Sequence, residues 1–348
     1  NYSMKITGVD ICCGLAWGDE AKGKIVSELA RTNRYNFVCR WAGGNNAGHT
    51  VFVDGIKFKT HLIPSGVFYN IPSIIGPDCV VNIDAFFAEI KYLQDHNFNV
   101  SLIKISPKAH IVTNEHIAED IAKISIVQGT TSKGIAPCYG DKYRRVGTRV
   151  SEVEELREFL WDEKLHGKIL CEGAQGFWLD INQGNYPYTT SSVTLPYGAC
   201  SLGFSPKLVR NIYGAAKIYD TRSGIDPEFP ECLFENKELN AVGEAGEEYG
   251  VTTGRKRKIK WLNLKRLIEA IHVTGTTHLI ISKTDVLLKV GLFKLFDMNG
   301  ILMSFHTMDQ MIFYLNTTLN EICNLQEIIF SNNPYTIESN HVESAVFS

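Results

Sequence analysis

Short apolar runs alternate along this chain with longer stretches in which apolar residues recur every three or four positions. Residues 5–12, 36–40, 73–75, 79–83, 169–172, 211–216 and 278–282 read as strands. Residues 22–31, 83–95, 114–125, 153–163 and 262–274 carry the helical period. Strands alternating with helices predict an α/β fold: one large domain, residues 4–338, around a mostly parallel central sheet with helices on both faces. Residues 1–3 read as a remnant ahead of Met4, and 339–348 as a C-terminal tail. Ligands on such sheets bind beyond the carboxyl ends of the strands. Three polar segments occupy that position: 14–24, the Glu-Gly-Ala-Gln run 172–175, and Lys283-Thr-Asp285.

The first of these carries the most chemistry. Gly14-Leu-Ala-Trp-Gly-Asp-Glu-Ala-Lys-Gly-Lys24 leads from an apolar strand into a helix. Glycines at 14, 18 and 23 let backbone approach a ligand closely. The helix N-terminus, with Lys22 and Lys24, favours an anion. The spacing is not that of a Walker loop. Asp19 and Glu20 would repel phosphate, so an acid there needs a task such as holding Mg²⁺ or taking a proton. The alternative is a solvated turn of mixed charge.

Composition narrows the class. The chain has 348 residues, 44% of them hydrophobic, with a net charge of −3, which excludes a polyanion-binding surface built on overall basicity. Nine cysteines without paired CxxC spacing point to a reducing cytoplasm rather than to disulfides or a zinc site. Cys12, Cys13, Cys39 and Cys171 read as buried packing residues. No 18-residue apolar span and no signal-peptide pattern is present in the sequence.

Arg40-Trp-Ala-Gly-Gly-Asn-Asn-Ala-Gly-His-Thr50 and His61-Leu-Ile-Pro-Ser-Gly66 follow the cradle. Gly129-Thr-Thr-Ser-Lys-Gly134, Asp141-Lys-Tyr-Arg-Arg145, Tyr186-Pro-Tyr-Thr-Thr-Ser-Ser192 and Gly250-Val-Thr-Thr-Gly-Arg-Lys-Arg257 come later, in order. In these motifs, over residues 8 to 338, the chain resembles the adenylosuccinate synthetase family, whose fold is related to P-loop proteins. The short 151–168 connection is similar to compact archaeal and phage-encoded members.

The resemblance implies a GTP- and Mg²⁺-dependent ligase that phosphorylates O6 of a 6-oxopurine nucleotide and lets L-aspartate displace the phosphate. Asp19 matches the base that removes the N1 proton, and His49 the group that protonates or hydrogen-bonds the receiving oxygen. Lys22 matches the cation on the transferring phosphoryl group, and Gln175 a contact to the base. Gly18, Glu20, Ala21, Gly23, Lys24, Gly48, Thr50 and Arg257 match GTP contacts. Asp19, with the carbonyls of Gly18 and Gly48, would help hold Mg²⁺. Asn46, Thr131 and Thr190 match contacts to the purine nucleotide's phosphate, and Arg144 an arginine donated across a homodimer. Ser223 and Arg255 lie beside that nucleotide. Thr252, Thr253, Arg255 and Arg257 match the aspartate loop, where two guanidinium forks suit a dicarboxylate.

Asp285 could accept from guanine N1–H and the 2-amino group, which would select GTP; its alternative is a strand-end salt bridge. Ser331, Asn333 and Pro334 replace the family's Ser-Thr-Gly-Pro wall, and Asn333 is expected to supply the left-handed turn of the missing glycine. Ser223 stands where the family has valine. Phage relatives take (d)GMP and make 2-aminoadenylosuccinate, and a hydroxyl here could satisfy the 2-amino group. The expectation therefore leans to (d)GMP, with IMP as the alternative. In the host, a phage enzyme would also be cytoplasmic. A regulatory GTPase would leave the 255–257 arginines idle, and a non-catalytic homologue would not need Asp19, His49, Lys22 and Gln175 together.

Overall fold

A computed structural model describes residues 5–250 and 254–337. Its centre is an eight-stranded sheet in which every pairing is parallel. The strand Ile6–Gly14 lies in the middle, between Gly167–Glu172 and Val209–Lys217. His278–Ser282 and Glu327–Phe330 extend one side; Phe37–Arg40, Ser73–Ile75 and Ile103–Ile105 extend the other.

Both faces of this sheet are covered, which is why its strands read as unbroken apolar runs. Val9, Ile11 and Cys13 enter one core with Cys171, Ile281 and residues of the helices Leu264–Thr274 and Met308–Ile322. Cys12, Leu170, Ala215 and Ile280, one residue out of phase, pack against Ile25, Val26 and Leu29 of the helix Lys22–Thr32. All nine cysteines are free thiols, and the four read as packing residues are buried. Among the described residues no helix is long and apolar enough to cross a membrane.

Several elements differ from the sequence reading. Residues 153–163 do not form an α-helix: Glu154–Phe159 is a 3₁₀ helix, and Val153, Leu156 and Phe159, spaced by three, share the face that packs into the core. The 114–125 helix stops at Glu119 and continues as the π-helical turn Asp120–Ile124, with Asp120 turned inward. Residues 258–263 form a strand of a second, four-stranded sheet, so the helix expected from residue 262 begins at Leu264. The structure adds strands at 293–296, 302–305 and 327–330 and helices at 135–144, 237–245 and 308–322 to those the sequence predicts. Beyond His49 the chain turns into a hairpin, His49–Val53 with Ile56–Thr60. Asp54 and Gly55 both have positive φ, the geometry that suits the twist of a two-residue turn.

The helix Ile83–Asp95 begins where the residue types say it should: the Asn82 side chain accepts from Ala85 N at 2.9 Å. Asn82→Ala should cost about 1 kcal/mol. The measurement is the urea midpoint, with ligand binding unchanged because Asn82 lies outside the cleft described next.

Candidate functional site

The three polar segments predicted at strand ends do converge. They line one cleft of about 1090 Å³. Gly18, Asp19, Glu20, Ala21, Lys22, Gly23, Lys24, Asn46, Gly48, His49, Thr50, Thr131, Gln175, Thr190, Ser223, Arg255, Arg257, Lys283, Asp285, Asn333 and Pro334 all border it. Ser331 lies just behind the wall, and Arg144 lies away from it. Thr252 and Thr253 fall outside the described residues.

The cradle is built around Glu20. Its carboxylate is fully buried and accepts from Ala16 N at 3.0 Å, Gly18 N at 3.1 Å and Lys22 Nζ at 2.7 Å. A Cβ on Gly14 would lie 2.5 Å from that carboxylate, and one on Gly176 would lie 2.3 Å from it. Gly14 is thus needed for Glu20, not for the approach of a ligand. Gly23 gives way to the hairpin: its Cβ would meet Thr50 O at 2.6 Å. The sequence reading offers holding Mg²⁺ or taking a proton as tasks for an acid here; the Glu20 carboxylate is instead turned inward and braces the loop. Gly18, Asp19 and Ala21 all take positive φ. These turns send Asp19 outward to the cleft while Glu20 points inward. The helix Lys22–Thr32 has no side-chain cap, so its first amides remain available to an anion.

Lys24 corrects a second expectation. Its ammonium does not reinforce the cradle but binds Ser331 Oγ at 2.6 Å and Asn333 O at 3.1 Å. Burial, then the neighbouring Lys283, pushes it down to about 7, against the pull of Asp285. Asn333 does not take the left-handed turn expected of it. Its side-chain oxygen instead accepts from Tyr335 N at 2.9 Å and Thr336 N at 2.8 Å, and this side-chain turn replaces the glycine.

His49 sits opposite, at the start of the hairpin. Its Nδ1 is 2.7 Å from Glu172 Oε1, and Glu172 also receives Ser65 N at 2.8 Å and Ser65 Oγ at 3.1 Å. Both side chains are buried. Burial lowers the imidazole's pKa and Glu172 opposes it; for Glu172 itself burial acts upward, but the bonds from His49 and Ser65 hold it below the usual carboxylate value. His49 Nε2 is buried without a hydrogen-bond partner, a ring atom left open for a ligand. Glu172 opens the Glu-Gly-Ala-Gln run, and its place at a strand's carboxyl end is the sequence signal for its role.

Across the cleft, Arg257 Nε lies 3.1 Å from Asp19 Oδ2, and Ser223 Oγ lies 3.4 Å from the same oxygen. Arg255 Nη2 reaches Gly129 O at 3.5 Å and so joins the arginine segment to the Thr131 loop. Asp120, missed in the sequence, pins that loop through Thr130 Oγ1 at 2.6 Å and Gly134 N at 2.9 Å. Arg144 ends the helix Ile135–Arg144 and pairs with Asp141 of its own helix. Arg145 follows in left-handed conformation, exposed and without an ion pair among the described residues. No cluster of three or more His, Cys, Asp or Glu that could cage a metal occurs among the described residues.

Removing the Glu172 charge should lower the His49 pKa further, since a bonded carboxylate favours the imidazolium. NMR titration of the ring in Glu172→Gln is the check; an unchanged midpoint would show that Glu172 does not support the charged ring.

The family model for adenylosuccinate synthetase matches residues 11–166 and 153–321. The enzyme of that name from Lysinibacillus sphaericus is 36% identical over 80% of this chain and 77% of its own. That from Phocaeicola vulgatus is 38% identical over 80% and 78%. The fully ligated adenylosuccinate synthetase of Plasmodium falciparum superposes with a TM-score of 0.81 at 25% identity, covering 94% of this chain and 98% of that one. The cyanophage S-2L succinoaminodeoxyadenylate synthetase, solved with dGMP and dATP, gives 0.75 at 20% identity over 98% and 99%, a likeness of fold. By the extent of the family match and by relatives at 36–38% identity over four-fifths of its length, this chain belongs to the adenylosuccinate synthetase family of GTP-dependent carbon–nitrogen ligases.

Proposed function

We propose that the protein joins L-aspartate to C6 of a 6-oxopurine mononucleotide at the expense of GTP. The observation that carries this reading is the pairing across one cleft of an outward carboxylate, Asp19, with the unspent Nε2 of His49. Asp19 takes the N1 proton, which makes O6 nucleophilic toward the γ-phosphoryl group. As the imidazolium, with Glu172 as its counter-ion, His49 donates Nε2–H to O6 and stabilises the charge building there. Lys22 and the helix amides hold the phosphoryl group as it passes to O6 from GTP, which leaves as GDP. Aspartate, its carboxylates held by Arg255 and Arg257, then attacks C6 and expels phosphate. The donor set suits Mg²⁺: one carboxylate, Asp19, with carbonyls of Gly18 and Gly48 and oxygens from substrate phosphates. Bound there, the ion would neutralise phosphate charge. Asn46, Thr131 and Thr190 hold the purine nucleotide's phosphate, Gln175 its base, and Lys283 with Asp285 the guanine of GTP. We place the enzyme in the cytoplasm, consistent with its nine free thiols.

The active form in this reading is a homodimer. Tyr143 and Val146 flank the Arg144–Arg145 corner and are exposed, as are Ile121, Ile126 and Val127 earlier in the chain. Because Asp141 holds Arg144, Arg145 is the better arginine to reach a neighbour's nucleotide.

For the purine, we favour (d)GMP. Ser223 stands beside Asp19, and a group next to the N1 base also faces position 2, where the extra amino donor sits. The IMP reading has its own support: the relatives at 36–38% identity carry the name adenylosuccinate synthetase, whereas the dGMP-bound neighbour is 20% identical.

Phosphate release that requires GTP, Mg²⁺, aspartate and a 6-oxopurine nucleotide together tests the activity. Asp19→Ala should lower turnover by at least about 10². Mixed with Arg145→Ala chains it should regain activity through hybrid dimers; proven subunit exchange without rescue would sink the shared site. Ser223→Val should move the dGMP-to-IMP ratio of kcat/KM several-fold toward IMP, the size of one neutral hydrogen bond. A parent enzyme that already strongly prefers IMP would overturn the (d)GMP reading.

A further inference from the structure

Glu248 belongs to none of the motifs, yet it is the most heavily engaged carboxylate beside the cleft. It follows the helix Lys237–Ala245 and is buried. Its Oε1 receives Arg257 Nη1 at 2.8 Å and Lys217 Nζ at 3.3 Å. Its Oε2 receives the Tyr219 hydroxyl at 2.9 Å and Lys217 Nζ at 3.4 Å. Lys217 ends a central strand of the large sheet, and Tyr219 opens a strand of the smaller one. Glu248 therefore ties the arginine segment to both sheets. The main chain repeats the tie: Arg257 N donates to Glu248 O at 3.0 Å, and Gly250 N to Arg255 O at 2.8 Å.

Lys217 and Arg257 both pair with Glu248, and Arg257 also faces Asp19 on the cleft side. Arg257 Nε is 3.1 Å from Asp19 Oδ2, but out of line for a hydrogen bond, so that buried donor is unspent. With Nη1 held from behind, the guanidinium cannot rotate fully onto Asp19.

We propose that Glu248 is a positioning residue: it anchors one edge of Arg257 so that the other edge stays turned to the cleft for the incoming amino-acid carboxylate, and Asp19 stays free to act as base. The proposal rests on the roles given above to Asp19 and Arg257. Without the anchor, Arg257 can close on Asp19 as its nearest remaining carboxylate. The substrate carboxylate then loses its partner, and the base is masked by the same movement.

Steady-state kinetics with each substrate varied in turn separates this from a structural role. Glu248→Gln keeps the shape and removes the charge. The expected result is a KM for aspartate raised by about tenfold or more, the scale of one charge-assisted hydrogen bond, with kcat also reduced. The KM for the purine nucleotide should move by less than about threefold. Glu248→Asp keeps the charge but withdraws it by one methylene, so its aspartate KM should fall between parent and Gln variant, and it serves alone if the Gln variant does not fold. An aspartate KM within about twofold of the parent in every variant that folds, or an equal rise in all three KM values, would overturn the proposal. An active parent with such variants sinks this inference alone, whereas a parent without aspartate-dependent phosphate release sinks the functional reading beneath it.

Discussion

The site depends on one carboxylate that is turned away from the cleft into the protein. Glu20 gathers two backbone amides and the Lys22 ammonium into a space that exists because residues 14 and 176 lack side chains. A buried carboxylate without these partners would be costly by several kcal/mol, so the loop closes around it or does not close. Once closed, the backbone has little choice. Asp19 must face outward, Lys22 is held at the helix start, and the first helical amides lie uncapped beyond the strand end. The parallel sheet supplies the platform, but this inward acid decides which of two adjacent acidic residues becomes available for chemistry.

The same pattern, a buried group behind each exposed one, recurs around the cleft. Glu172 stands behind His49, Asp120 behind the Thr131 loop, and Glu248 behind Arg257. Each supporting carboxylate is bonded to backbone amides or to hydroxyls besides its functional partner, or to a second cation. Side chains with few rotamers left to lose can meet a ligand with little further ordering cost. The cleft is thereby preorganised by supporting carboxylates, two of which, Asp120 and Glu248, lie outside every motif.

What the sequence revealed follows from the range over which each signal acts. The large sheet was legible because burial on both faces writes itself as local apolar runs, and the cradle because it joins such a run to a helix. The inward turn of Glu20 was not legible: it hinges on positive φ at Asp19 and Ala21, residues with no strong preference for it. Lys24 was misplaced because its partners, Ser331 and Asn333, lie more than three hundred residues away. Glu248 was passed over for a similar reason, since Lys217 and Tyr219 mark the ends of separate strands. Residues 153–163 misled because apolar residues three apart, Val153, Leu156 and Phe159, suit one face of a 3₁₀ helix as well as one of an α-helix.

Five of the residues bordering the cleft, Asp19, Ala21, Gln175, Glu247 and Lys283, hold left-handed backbone without being glycine. Each such residue costs about 1–3 kcal/mol, and a whole domain is stable by only about 5–15. The cleft is therefore a reservoir of strain set into an otherwise well-packed sheet. Heat or denaturant should find it first, so that loss of ligand affinity precedes loss of secondary structure. Anything that fills the cleft does two tasks at once: it engages the chemistry, and it supplies the contacts that hold the most costly turns of the chain in place.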